Sequence, residues 1–493
     1  MRAIDQGNVL KAKTILAAIL FNLPLFPVFA QVTDDSTQNA FEVVFSTYFG
    51  GSGTDDCDTV TVDEGGNIYL GCHLNSPSLP GSDKHPYSLA GNMDAFVIKL
   101  NAAGDAVHYI THLGGAEWDA VQGITTDAEG NAYLVGTTYS KNFPVSANAQ
   151  QQQFGGESDA FVAKLNATGE VQWLTYFGGR GEEDGAGIAL DDNGIIHIVG
   201  RTSSPDLLTT ADAVQAKLNG GKDAFIARFN GQGKPIYSSY LGGSNDDQGF
   251  AITLDAMGST YITGSTQSTD FPIFDPNKGK TLFPKPFGGT DAFVAVLNPD
   301  GTALEYFTYL GGTAEDSGLS IGLAPDGGII IAGQTNSPDL PTTKNAAQTK
   351  IAGGIDTFVT KLNIADRTLP YMTYLGGSDR ERTRDLAVDT HGNAIIVGET
   401  QSPNFPSSVS STNKGNENGF LTFLNPTGTQ FTHSITLGGE KLDAIEGVAI
   451  GKDNNMILTG LTNSPDFPTV SPLQPQFIGG RFDIVVSRFH SPR

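Results

Sequence analysis

The chain is short of cysteine, of basic residues and of long apolar runs. Its two cysteines, Cys57 and Cys72, form no C-x-x-C pair, which sets aside a thiol redox motif. Lys and Arg number 29 against 53 Asp and Glu, a formal charge of −24 that argues against nucleic acid and anionic lipid surfaces, whose phosphates would be repelled. Beyond residue 30 no apolar stretch is long enough to cross a bilayer, and 3.6-residue periodicity is largely absent. What is present is Gly (61), Pro (25) and 39% hydrophobic residues, too many of the last for a disordered chain and together suited to short strands joined by turns.

The first thirty residues read as a secretory signal. Lys11 and Lys13 precede the apolar run from Ile15 to Phe29, which Pro24 and Pro27 interrupt, and Val28-Phe29-Ala30 offers small residues for cleavage before Gln31. Residues 1–30 are therefore expected to be removed, residues 31–40 to be a linker, and the protein to be periplasmic or extracellular, including the cell surface. Removal takes three basic residues and one acidic one, leaving a charge of about −26. An oxidising compartment makes a Cys57–Cys72 disulfide expected, worth roughly 3 kcal/mol by loop entropy.

A Gly-Gly pair preceded by an aromatic or aliphatic residue recurs seven times, with first glycines at 50, 114, 178, 242, 311, 376 and 438. The separations of 64, 64, 64, 69, 65 and 62 residues suit four strands and one generous loop. In the third period, 187–191 reads as a first strand, Asp192-Asn193-Gly194 as a tight turn and 195–202 as the returning strand. Asp223–Phe229 alternates as a third strand, and 235–241 follows as a fourth. The chain begins with a lone fourth strand, 42–49, and ends with a third, 483–489, so each end supplies what the other lacks. These elements predict an all-β fold, a seven-bladed β-propeller over 41–493 with repeat boundaries near 51, 115, 179, 243, 312, 377 and 439. The N-terminal strand is expected to complete the last blade.

Three motifs recur in register: Thr-Tyr-Leu-Gly-Gly (308–312, 373–377), Asp-Ala-Phe-Val-Ala-Lys-Leu-Asn (159–166) and Ser-Pro-Asp-Phe-Pro (464–468). On these the chain, from Phe41 onward, resembles the bacterial β-propeller repeat family abbreviated SBBP. The resemblance implies the propeller fold and an exported or cell-surface protein, and it carries no assigned reaction.

The fourth residue after each second glycine is acidic in every copy: Asp55, Asp119, Glu183, Asp247, Asp316, Glu381 and Asp443, against a background near 11%. One reading is a ring at the channel mouth holding a cation, with Ca²⁺ as the candidate. The other, favoured because a feature shared by all copies is architectural, is an acceptor for backbone N–H groups of its own turn. A second column, Asp94, Asp159, Asp223, Asp291, Asp356, Asn418 and Asp483, reads as a structural cap, since Asn418 preserves hydrogen bonding and loses charge. His73, His85, His108 and His112 cluster in the first blade without a ligand spacing, so an acid–base or metal site there is the weaker reading. Phe143, Phe271, Phe405 and Phe467 are expected as packing pins between blades, with a sugar-binding rim as the alternative. The longest loop between second and third strands, 268–290, carries Lys278, Lys280 and Lys285, a candidate docking point for a partner.

No asymmetric catalytic constellation is visible. The function expected is a non-catalytic binding or scaffold propeller, monomeric, presenting an acidic loop-rich face to a protein or glycan. The alternatives are a divalent-cation-dependent lyase or hydrolase with its site at the channel mouth, and a structural surface or adhesion component.

Overall fold

The computed structural model describes residues 41–271, 281–408 and 415–491. The expected signal peptide and linker, residues 1–40, lie outside them, as do Lys278 and Lys280. No helix of the described residues is long and apolar enough to cross a membrane.

The strands form seven antiparallel sheets of four. Blade 1 runs Asp55–Val62, Ile68–Leu74, Asp94–Leu100 and Val107–Leu113, and the next five blades repeat this order. The last blade takes Asp443–Ile450, Asn455–Thr462 and Asp483–His490 from the end of the chain and Glu42–Phe49 from its beginning. Glu42 pairs with His490 and Phe49 with Ile484, so the closure expected from the chain ends is present. First strands of consecutive blades lie side by side, and Asp443–Ile450 returns to lie against Asp55–Val62, which makes them the wall of a central channel.

Every first strand carries a register shift, between Val121 and Gly123 in blade 2 and between Gly185 and Gly187 in blade 3. The bulge explains why the strand expected at 187 begins at Glu183. Gly185 and Gly187 carry no side chain and flank the extra residue, so the apolar alternation that marks a strand is legible only beyond it.

Apolar faces of adjacent blades interdigitate. One cluster joins Tyr69, Val97 and Tyr109 of blade 1 to Val121, Leu134 and Phe161 of blade 2. Turn glycines meet the neighbouring blade closely: Gly169, at φ 86°, would place a Cβ 2.5 Å from the Tyr109 ring. A side chain there would be excluded both by the backbone and by the blade interface.

Candidate functional site

The loops entering each first strand and those leaving each second strand share one face, and the acids of the Gly-Gly turns tie them together. Each of the seven carboxylates accepts a backbone N–H from the second glycine of its own turn, at 2.6–2.9 Å. Most also accept from the serine that opens the loop after the second strand, Ser76 to Asp55 at 2.7 Å and Ser268 to Asp247 at 2.8 Å. The same serines accept a backbone N–H from the opposite loop, Gly53 to Ser76 at 2.8 Å and Asn245 to Ser268 at 2.9 Å. All seven acids are 0–1% exposed, each enclosed within its blade, and this geometry supports the turn role over a shared cation ring. Burial pushes Asp119, Asp247 and Asp443 up to about 6.

The second column caps the approach to each third strand. Asp94 accepts from Ala90 N at 2.7 Å and Asp356 from Ala352 N at 2.8 Å, while Asn418 donates to Gly415 O at 3.3 Å. Phe143, Phe271, Phe405 and Phe467 are 0–5% exposed, so their rings offer no rim to a sugar. Their ring contacts fall within their own blade: Phe271 stacks on Phe307 at 4.2 Å, and Phe143 meets Phe161 at 4.8 Å. The pins thus stack on their own sheet and also sit in apolar clusters that reach the preceding blade, Phe143 with Tyr69 and Val97 and Phe271 with Val199 and Ile226, in keeping with the packing role expected of them. Cys57 and Cys72 are disulfide-bonded and 0% exposed. Lys285 is exposed.

With these repeated features engaged, the channel wall is where the blades differ. Three positions flank the bulge of the innermost strand in every blade: the residue after the turn acid, the bulge residue two further on, and the residue before the last threonine or leucine of the second strand. In blade 2 they are Ala120, Gln122 and Thr137; in blade 4, Gln248, Phe250 and Ser265. In blade 1 they are Asp56, Asp58 and His73, in blade 6 Arg382, Arg384 and Glu399, and in blade 7 Ala444, Glu446 and Leu461.

The charged members form one network across three blades. Arg384 Nε lies 3.1 Å from Glu399 Oε2, and its Nη2 lies 3.1 Å from Glu446 Oε1. Glu446 shares a hydrogen bond with Asp58, whose Oδ2 is 3.0 Å from His73 Nδ1; His73 Nε2 is 3.8 Å from Asp56 Oδ2. Burial pushes the His73 imidazole down, yet Asp58, Asp56 and Glu446 outweigh it and hold it at about 9. Burial, reinforced by Asp56, raises Glu446 well above the carboxylate range. Asp58 sits below that range because His73 and Arg384 overcome the cost of its burial.

Of the four clustered histidines only His73 enters this network. His112 Nε2 binds Asp94 at 2.7 Å and His108 is exposed. His73 also touches Trp118 of blade 2, ring centroids 5.8 Å apart, and Trp118 meets the 43% exposed Tyr139 at 5.8 Å. Trp118, Tyr139 and Glu117 line a depression of about 390 Å³. A continuous path of side chains thus leads from the channel wall to the loop face at blades 1 and 2. Motif reading passed over Asp56, Asp58, Glu446, Arg384, Glu399, Trp118 and Tyr139 because it sought what the copies share. Aligning the seven copies and marking the columns that vary would have found them.

The sequence model of the SBBP beta-propeller repeat matches residues 109–144, 172–207 and 236–272. A Caulobacter vibrioides protein described as regulatory protein FlaEY is 24% identical over 345 residues, 68% of this chain and 35% of that protein, so the chain spans about a third of its length. Among solved structures, the Neurospora crassa Pan2 WD40 domain is 9% identical over 92% of this chain and 98% of its own, with a TM-score of 0.45. BamB from Moraxella catarrhalis is 10% identical over 92% of this chain and 100% of its own, with a TM-score of 0.40.

Proposed function

We propose that this is an exported, non-catalytic binding propeller that presents its acidic loop-rich face to a protein partner bearing a basic segment. The observation that carries the reading is the half-open Trp118–Tyr139 pair beside Glu117, where aromatic surface on that face breaks the sevenfold pattern. An aromatic face flanked by carboxylates suits a lysine or arginine side chain by cation–π attraction. Glu315 and Asp379, exposed on the corresponding loops of blades 5 and 6, add negative charge to the same face. The description of the Caulobacter relative as regulatory agrees with a binding role. The disulfide supports export. Lys278, Lys280 and Lys285 are proposed as a separate point of contact for an acidic feature of the same partner.

The test is capture of binders from basic-peptide and glycan arrays by the purified protein, compared with Trp118→Ala and Tyr139→Ala. Salt-sensitive peptide binding lost in both variants supports the reading. Saturable binding to glycans alone would replace the protein partner with a sugar, and no ligand in either array would favour a purely structural surface component. The enzymatic alternative, a cation-dependent lyase or hydrolase, depends on whether the channel group can hold a metal.

A further inference from the structure

We infer that Asp56, Asp58 and His73 form a binding site for a divalent transition metal of the Zn²⁺ and Co²⁺ class. The inference is independent of what docks on the loop face. Among the described residues these three are the group whose imidazole and carboxylate atoms converge within 4.8 Å of one another. Mixed nitrogen and oxygen donors suit zinc, cobalt, iron or manganese, whereas calcium takes oxygen alone.

Three further observations make this more than an accidental cluster. The first is its position in the repeat. At the same three positions the other blades present sets such as Ala120, Gln122 and Thr137, or Ser317, Leu319 and Gln334, so blade 1 alone combines two carboxylates with an imidazole. The second is covalent: Cys57 stands between the two aspartates and Cys72 directly precedes His73, so their disulfide clamps together the two strands that carry the ligands. Both sulfurs lie in the core while the three side chains converge on one another outside it, where the register of that strand pair is interrupted between Asp56 and Thr59. The third is an acceptor with nothing to accept from. Asp56 Oδ1 is buried without a hydrogen-bond partner, although its carboxylate lies beside the imidazole.

The surroundings supply the outer contacts that a metal site requires. Glu446 hydrogen-bonds Asp58, Arg384 anchors Glu446 at 3.1 Å, and the Trp118 ring covers one side of His73. Asp58 keeps 30% of its side chain exposed and His73 17%, which leaves access from the channel for an ion and its water.

The experiment uses untagged mature protein with its disulfide intact, stripped with chelator and titrated with ZnCl₂ and CoCl₂ by calorimetry, the cobalt titration being followed also by visible absorption. One site per chain is expected, with a d–d band showing nitrogen–oxygen coordination and no comparable heat from CaCl₂. His73→Ala and Asp58→Asn are expected to weaken binding at least about 100-fold, and His108→Ala to leave it unchanged. Cys57→Ser with Cys72→Ser is expected to weaken it about 10-fold through loss of ligand orientation. Absence of stoichiometric zinc and cobalt binding in the unaltered protein would overturn the inference whether or not the variants fold. Binding retained in a folded His73→Ala protein would overturn it equally.

Discussion

Removing residues 41–49 tests whether the ring is held by the strand that closes it. That strand buries Phe45, Tyr48 and Phe49 at 0–2% exposure, and each such side chain contributes about 1.5–3 kcal/mol. The Tyr48 hydroxyl also donates to Ser464 O at 2.8 Å, adding about 1 kcal/mol. The loss is then about 6–10 kcal/mol, comparable with the whole stability of an ordinary domain, about 5–15 kcal/mol. With an unfolding entropy near 2 cal/mol/K per residue, a propeller of this size shifts by about one degree per kcal/mol, so the melting temperature should fall by roughly 6–10 °C. The bared edge of Asp483–His490 should also drive association, visible in light scattering. Circular dichroism melts at fixed concentration measure the first effect. A permuted chain beginning at Gly50, with residues 41–49 joined after residue 491 by a short turn, should recover the full melting temperature because Glu42 already pairs with His490. A truncated chain that stays monomeric and melts within about 2 °C of the parent would refute the reasoning.

The disulfide is expected to contribute about 3 kcal/mol for its 15-residue separation, read as the difference in urea midpoints between the parent and the Cys57→Ser, Cys72→Ser chain. Because both cysteines are 0% exposed, reductant should act on the folded protein only through opening of blade 1, so reduction kinetics that match an exposed model disulfide would contradict the burial. Stability should decline as pH rises from about 5 to 8. Burial raises Asp119, Asp247, Asp291 and Asp443 to about 6 and Asp159 and Asp483 to about 7, so the stability tied to their protonated forms is complete below the unfolded value and lost as pH climbs through 6–7. Asp63, Asp127 and Asp326 are shifted the other way and contribute above their unfolded value, which places the maximum at mildly acidic pH. A flat or rising melting temperature over pH 5–8 would count against this. Tyr240→Phe should cost about 1–2 kcal/mol, since its hydroxyl donates to Ser204 O at 2.7 Å and accepts from Leu207 N at 3.0 Å; an unchanged midpoint in urea would show the loop to be held otherwise.

Most of the fold was legible because repetition amplifies weak local signals. One Gly-Gly turn means little, but seven at nearly constant spacing exclude most alternatives, and strands such as Asp223–Phe229 and Glu42–Phe49 stand where alternation puts them. The same averaging hid the channel group. Asp56, Asp58 and His73 look like scatter within a motif, and Glu446 and Arg384 are 390 and 328 positions from Asp56 along the chain. The turn acids were legible as a column, and Asn418 pointed to the role that the neighbouring column plays.

The sequence by itself determined the number of blades, the four-strand order and the means of closure, because turn chemistry and alternation are local and each blade repeats them. Only the tertiary structure decided which charges meet. Closing the ring brings first strands of blades 6, 7 and 1 side by side, and the bulges turn Arg384, Glu446 and Asp58 into one channel where they must be solvated by each other. That meeting depends on ring geometry rather than on any spacing in the chain, so it could not be read before the blades were assembled.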